Sequence, residues 1–193
     1  MTPTTLSGYT KTYYQYDAVN VFMNAPGKQK TTIMTASTCM NTVINMKKLP
    51  YDQALFLETQ KARAIRTQPL LETLYTLLLK IKGVAIAPVY EEELINLLKR
   101  GELFKEKRAL RRKGLPCSCH SNSAHLWVKN KRSLAIITGY ALSSDGIWRQ
   151  HTWLQRKSDE RLIETTEPRI AYYGYKLTDT ESKCFAILNG DQP

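Results

Sequence analysis

The chain has 193 residues, 42% of them hydrophobic, and a formal net charge of +11, which suits one domain with a sizeable core. Neither the N-terminus nor the most apolar region, 70–89, has an uninterrupted apolar stretch long enough for a signal peptide or membrane span. Four irregularly spaced cysteines are too few for a disulfide scaffold. The sequence therefore predicts a cytoplasmic protein with reduced thiols.

The first half of the chain changes character near residue 50. Residues 1–45 are rich in Thr, Tyr, Asn and Met and fit either an arm or weakly patterned strands. From 51 to 113 the apolar spacing is typical of helices. Helices are predicted around 54–65, from Pro69 onward, and from near Tyr90 to an interruption near Gly101. Gly114-Leu115-Pro116 ends this helical part.

The C-terminal part, 114–193, is predicted to hold a short helix followed by strands. The strands are expected over 133–142, 147–155, 161–165, 171–177 and 184–188. Ser143-Ser144-Asp145-Gly146 predicts a hairpin turn between the first two. This order predicts one α+β domain in which a helical part packs on a C-terminal antiparallel sheet.

Residues able to carry chemistry are crowded into 117–151, which holds all three histidines and two of the four cysteines. Ser118 or Ser121 is expected to cap a short helix. Cys119 then lies at a helix N-terminus, where the helix dipole favours the thiolate. Cys117 lies further from this helix, so Cys119 is the predicted nucleophile.

A histidine and a carboxylate follow on adjacent predicted strands. If their hairpin turns symmetrically about Lys157 and Ser158, His151 faces Glu164 directly, with Cβ atoms about 5 Å apart. Glu164 would then hold the imidazole in one tautomer. Trp153 falls beside this pair and is expected in the core or the wall of a cleft.

These residues resemble the papain-like cysteine hydrolase superfamily, particularly its transglutaminase-like branch. The resemblance lies in Cys119 at a helix start, His151-Thr152-Trp153, and Glu164-Thr165-Thr166, and covers about 117–166. Two departures are Glu164, where that branch commonly has Asp, and His120, where an apolar or aromatic residue usually follows the cysteine.

The resemblance implies acyl transfer through a thioester. Cys119 would attack a carbonyl, His151 would act as base and then acid, and Glu164 would stabilise the imidazolium. The backbone N–H of Cys119 would donate to the oxyanion, Asn122 is a candidate second donor, and Trp153 a candidate substrate contact. The expected partner is a protein or peptide substrate, no cofactor is assigned, and protease, deamidase and transglutaminase activities stay open.

Two other readings compete. Six of the nine residues in 105–113 are basic, which predicts either a solvated helix end or a surface for acidic proteins or nucleic acid. The candidate anion-binding residues are Lys107, Arg108, Arg111 and Arg112. In a basic binding protein, the aromatic residues Tyr172, Tyr173 and Tyr175 would stack on bases.

The second reading is a small structural zinc site. Four potential zinc ligands occur within nine residues, at Cys117, Cys119, His120 and His125. The CxC spacing and the missing second ligand pair are atypical of such sites. A reactive thiol therefore remains the favoured interpretation.

Overall fold

The structure, a computed structural model, describes residues 49–104 and 109–190. The predictions for residues 1–45, and for Lys107 and Arg108, lie outside these ranges. The helices of the described part are α1 (Tyr51–Thr67), α2 (Leu71–Ile81), α3 (Leu94–Arg100), α4 (Cys119–Asn130) and α5 (Asp179–Asn189). Its strands are β1 (Ala85–Ile86), β2 (Glu102–Phe104), β3 (Leu110–Arg111), β4 (Leu134–Leu142), β5 (Ile147–Arg156), β6 (Leu162–Glu164) and β7 (Ala171–Lys176). The α+β class is confirmed.

The sheet is mixed, so the prediction of an antiparallel sheet is wrong in part. Its strands run in the order β2-β7-β4-β5-β6-β3, and β1 pairs with β5 off this path. The pairs β1/β5 and β3/β6 are parallel. Three strands, β1, β2 and β3, come from 51–113, which the spacing assigned entirely to helices. Strands of two or three residues are too short to show a period of two.

The segment 184–188 is not a strand but part of α5. Thr178 and Glu181 form a capping box at the start of this helix: the Thr178 hydroxyl accepts from the Glu181 N–H at 3.2 Å, and the Glu181 carboxylate accepts from the Thr178 N–H at 2.6 Å. This start signal was in the sequence as Thr-x-x-Glu. It is a more specific signal than the short apolar run that suggested a strand.

The long strands divide the apolar residues between two faces of the sheet, as alternation requires. Leu134, Ile136, Tyr140 and Leu142 of β4 belong to the main core, which also includes buried residues of α2, α3 and α4. On the other face, Ile137 and Ala141 pack with Trp153, Leu162 and Tyr172. The predicted turn after β4 is confirmed, with the Gly146 N–H donating to the Ser143 carbonyl at 3.0 Å.

One edge of β5 is only partly paired. The edge that faces β4 is paired along nearly its whole length. The opposite edge pairs with β1 at Ile147 and Trp148, and with β6 at Leu154 and Gln155. Residues 149–153 therefore have no strand partner on that edge within the described residues, and the start of α4 contacts β5 there. No helix of the described part is long and apolar enough to cross a membrane.

A buried carboxyl group, Glu91, joins the helices to the sheet. It is 4% exposed, and it accepts hydrogen bonds from the Glu93 N–H (3.2 Å), ahead of α3, and the Gln150 amide (3.1 Å), on β5. The Gln68 side chain, at the end of α1, bonds both the N–H and the carbonyl of Glu91. Burial raises the pKa of Glu91 to about 7, although these hydrogen bonds oppose it.

Glu91→Gln should therefore make the protein less sensitive to alkaline pH. In the unfolded chain the pKa of a Glu is about 4.3. Folding raises the pKa of Glu91, so its neutral form contributes to the free energy of unfolding of the wild type at low pH. This contribution is lost as pH rises through about 7. Between pH 5 and pH 8 the variant should gain roughly 2 kcal/mol relative to wild type. Urea unfolding at both pH values measures this, and a stability difference that does not change with pH would contradict it.

Candidate active site

Cys119 is the first residue of α4, as predicted, but the predicted serine cap is absent. The Ser118 hydroxyl donates to the Pro116 carbonyl at 3.1 Å, and no side chain caps the helix. The first intrahelical bond runs from the Asn122 N–H to the Ser118 carbonyl at 2.8 Å. The N–H groups before Asn122 therefore have no intrahelical acceptor, and they leave a positive helix end beside Cys119.

The segment that leads to Cys119 is fixed against β6. The Arg112 N–H donates to the Glu164 carbonyl at 2.8 Å, and the Gly114 N–H donates to the Thr165 carbonyl at 2.7 Å. Asn122 then holds the next residue, Leu115, because its amide donates to the Leu115 carbonyl at 2.8 Å and accepts from the Leu115 N–H at 3.0 Å. This contact makes Asn122 a brace for the loop. Its role as oxyanion donor stays a prediction.

His151 and Glu164 do meet, although not in the register assumed from the sequence. The observed pairs are Leu154 with Ile163 and Gln155 with Leu162, so Glu164 and His151 are not directly opposite. The turn is centred one residue later because a four-residue loop, 157–160, is closed by the Arg156 N–H donating to the Arg161 carbonyl.

This change of register amounts to two residues, which keeps both side chains on one face of the sheet. Glu164 reaches His151 diagonally, with the imidazole Nε2 lying 2.9 Å from Oε2 and 3.1 Å from Oε1. Both side chains are buried. The predicted pair is therefore present, through diagonal rather than directly opposed positions.

The Glu164 carboxylate is surrounded by donors. Besides His151, it accepts from the Thr166 N–H at 2.8 Å, the Thr166 hydroxyl at 2.9 Å and the Tyr172 hydroxyl at 3.0 Å. Burial works against ionisation of Glu164, but the bond and charge of His151 and the Thr166 donors outweigh it and lower the pKa to about 2. Glu164 is therefore an anion at neutral pH.

The other end of the imidazole faces the thiol. Cys119 hydrogen-bonds His151, and since Nε2 is taken by Glu164, Nδ1 is the nitrogen left for the sulfur. The Thr152 N–H also donates to the thiol. Burial opposes ionisation of Cys119, but these contacts outweigh it and lower the pKa of the thiol. Burial likewise opposes the charge on His151, but Cys119 and Glu164 raise its pKa. These contacts favour the thiolate of Cys119 and the protonated form of His151.

Trp153 lies behind the histidine. Its side chain is 0% exposed and stacks on the His151 ring with centroids 6.2 Å apart and planes inclined by 17°. It also contacts Phe104 and Tyr172. Trp153 therefore forms the wall that fixes the imidazole plane, which leaves it no exposed surface for substrate.

Neither competing interpretation is supported by the way its residues are placed. No three His, Cys, Asp or Glu side chains of the described ranges are grouped as metal ligands would be. The proposed zinc ligands diverge, since Cys117 and His125 are exposed while Cys119 and His120 bond to β5.

The three tyrosines expected to stack on bases, Tyr172, Tyr173 and Tyr175, are buried. Arg111 and Arg112 are exposed, but Arg111 lies in β3 rather than at a helix end.

Three residues of the site were missed by sequence reasoning. Thr166 was noted only as part of a motif, and Tyr172 was assigned to a base-stacking surface. Thr152 was likewise noted only within a motif, because its contribution to Cys119 is a backbone N–H, which carries no side-chain signal.

No protein-family model, curated protein or solved structure matches this chain. The chemistry of the site must therefore be argued from its own geometry.

Alkylation by iodoacetamide should label Cys119 at lower pH than the other thiols. Because its pKa is lowered, Cys119 should react at a lower pH than a free thiol of pKa about 8.5 does. His151→Ala removes the cation but leaves the burial, so the pH profile of Cys119 should move to higher pH. Mass spectrometry locates the label, and the exposed Cys117 and Cys184 are internal reference thiols. The pairing would be contradicted if Cys119 were labelled only at the pH at which the reference thiols are labelled. It would also be contradicted if His151→Ala left the pH profile of Cys119 labelling unchanged.

Proposed function

We propose that this chain is a cysteine-dependent hydrolase or acyltransferase that acts on an amide, peptide or isopeptide bond through a thioester. One observation carries the proposal: a thiol at a helix start, an imidazole and a buried carboxylate form one hydrogen-bonded chain. The carboxylate bonds one ring nitrogen and the thiol the other. This is the arrangement that activates a nucleophile and then returns its proton to a leaving group.

The reaction follows from the protonation states of the resting site. The Cys119 thiolate attacks the carbonyl carbon, and the carbonyl oxygen becomes an oxyanion beside the positive end of α4. The oxyanion collapses, the C–N bond breaks, and the His151 imidazolium gives its proton to the departing amine. The acyl group is then a thioester on Cys119. Water or an amine attacks it after giving a proton to His151, which restores the thiolate–imidazolium pair as the product leaves.

The local resemblance to the transglutaminase-like branch of the papain-like superfamily agrees with this proposal. The departure at Glu164 has a structural reason in this chain. Glu164 reaches His151 diagonally across β5 and β6, and the longer side chain of glutamate suits such a reach better than aspartate would. The same proposal covers protease, deamidase and transglutaminase chemistry, which differ in the acceptor that releases the acyl group.

The charge of the surface favours an acidic substrate. Arg111, Arg112 and Lys113 are exposed and immediately precede the loop that leads to Cys119. The whole chain carries a net charge of +11, so an acidic protein or peptide would be drawn toward it. A nucleic-acid partner has less support because the tyrosines expected to stack on bases are buried.

An activated ester tests the reaction without knowledge of the natural substrate. The wild type should be acetylated on Cys119 by p-nitrophenyl acetate, with release of p-nitrophenol in a burst followed by slow hydrolysis. Glu164→Gln keeps the side-chain shape but removes the charge that orients and stabilises the imidazolium. Acylation should then fall roughly 10²-fold or more. Stopped-flow absorbance gives the rate, and intact mass gives the adduct.

Two controls separate chemistry from folding. Cys184→Ala removes an exposed thiol on α5 and should acylate like wild type, whereas Cys119→Ala should show neither burst nor adduct. Acetylation spread evenly over the cysteines, or unchanged rates in Glu164→Gln, would overturn the proposal. If the site is confirmed, peptides that differ only in acidic and basic flanking residues identify the substrate class.

A further inference from the structure

A second imidazole, that of His120, lies beside the nucleophile and has no part in the reaction so far. His120 follows Cys119 in the first turn of α4, and its Nδ1 lies 2.6 Å from the Thr152 hydroxyl oxygen. The N–H of the same Thr152 donates to the Cys119 thiol. One residue of β5 thus holds both the sulfur and the ring, which places them side by side. Phe185 packs on the ring at a steep angle, with centroids 5.8 Å apart.

His120 is neutral at neutral pH, unlike His151. Burial, and to a smaller extent the charge on His151, lower the pKa of His120 to about 4. A neutral imidazole carries its proton on only one nitrogen, and that nitrogen is set by the hydrogen bond that the other makes.

The contact with Thr152 favours the tautomer that carries its proton on Nε2. A separation of 2.6 Å fits a hydroxyl donor better than an N–H donor, which favours donation from the Thr152 hydroxyl to Nδ1. The other acceptor within reach of this hydroxyl, the Thr138 hydroxyl oxygen, is further away at 3.3 Å. In this tautomer the ring presents an N–H group at Nε2.

Among the described residues, none accepts a hydrogen bond from Nε2. His120 is half-buried, and Nε2 is not among the fully buried side-chain atoms that lack a partner. Thr152 and Phe185 thus hold a neutral ring, with one nitrogen left over, on the residue that follows Cys119.

We propose that His120 is a second oxyanion donor, whose Nε2–H hydrogen-bonds the carbonyl oxygen of the substrate as Cys119 attacks. This inference rests on the proposed acyl transfer and names a side-chain donor in addition to the one predicted at Asn122, whose amide bonds Leu115. The bond strengthens as negative charge develops on the oxygen, which lowers the barrier to acylation. His120 gives up no proton, so its neutral form serves throughout the reaction.

Two reactions of the same thiol separate this role from a structural one. Acylation by p-nitrophenyl acetate forms an oxyanion, whereas alkylation by iodoacetamide displaces iodide and forms none. In His120→Ala, acylation of Cys119 should fall roughly 10²-fold while the pH profile of alkylation stays that of wild type. His120→Gln returns an N–H donor near the position of Nε2 and should recover part of the loss.

Matched variants complete the experiment. His125→Ala removes an exposed histidine from the same helix and should behave as wild type in both reactions. Thr152→Val keeps the backbone N–H for Cys119 but frees the ring, and should slow acylation roughly tenfold, as the loss of one hydrogen bond would. Unchanged acylation in His120→Ala, or equal losses of acylation and alkylation, overturns the role of His120. If wild-type Cys119 is alkylated at acidic pH but never acylated, the proposed function falls with it.

Discussion

The buried charge on Glu164 is the constraint on which the site depends. A buried carboxylate is tolerated only when donors replace its lost water, and here His151, Thr166 and Tyr172 do so from three separate segments. Satisfying this one anion therefore fixes the ends of β6 and β7 relative to the middle of β5. The same anion favours the protonated form of His151, which in turn favours the thiolate of Cys119. The packing of these strands and the proposed chemistry thus share one electrostatic cause.

The partly paired edge of β5 gives α4 access to this charge. Strand partners end at Trp148 on one side of the gap and resume at Leu154 on the other. Between them, the Thr152 N–H bonds the Cys119 thiol, and the Thr152 carbonyl accepts from the Ser123 hydroxyl at 3.3 Å. A fully paired strand would have used both groups in the sheet. Cys119 and the start of α4 are thus held by backbone groups of Thr152 that the sheet leaves unpaired.

Sequence reasoning placed the candidate site residues better than it placed the strands around them. Cys119, His151 and Glu164 were identifiable because a helix start and strand alternation are local patterns. The predicted register of β5 and β6 was wrong, since the register depends on the four-residue loop closed by Arg156 and Arg161. The error was two residues, and an even shift leaves His151 and Glu164 on the same face of the sheet. The parallel pairing of β3 with β6 could not be predicted from the sequence. A strand of two residues shows no alternation of apolar and polar side chains, and its partner lies about fifty positions away.

The two histidines beside Cys119 hold opposite protonation states, and the difference follows from what each nitrogen touches. His151 has a carboxylate at one nitrogen and the thiol at the other, so a cation is stabilised from both sides. Among the described residues, His120 hydrogen-bonds the Thr152 hydroxyl alone, and the charge on His151 makes a second positive charge there unfavourable. The charged ring can therefore give up a proton, while the neutral ring can offer a hydrogen bond from its one N–H group. In the proposed acyl transfer those are different tasks.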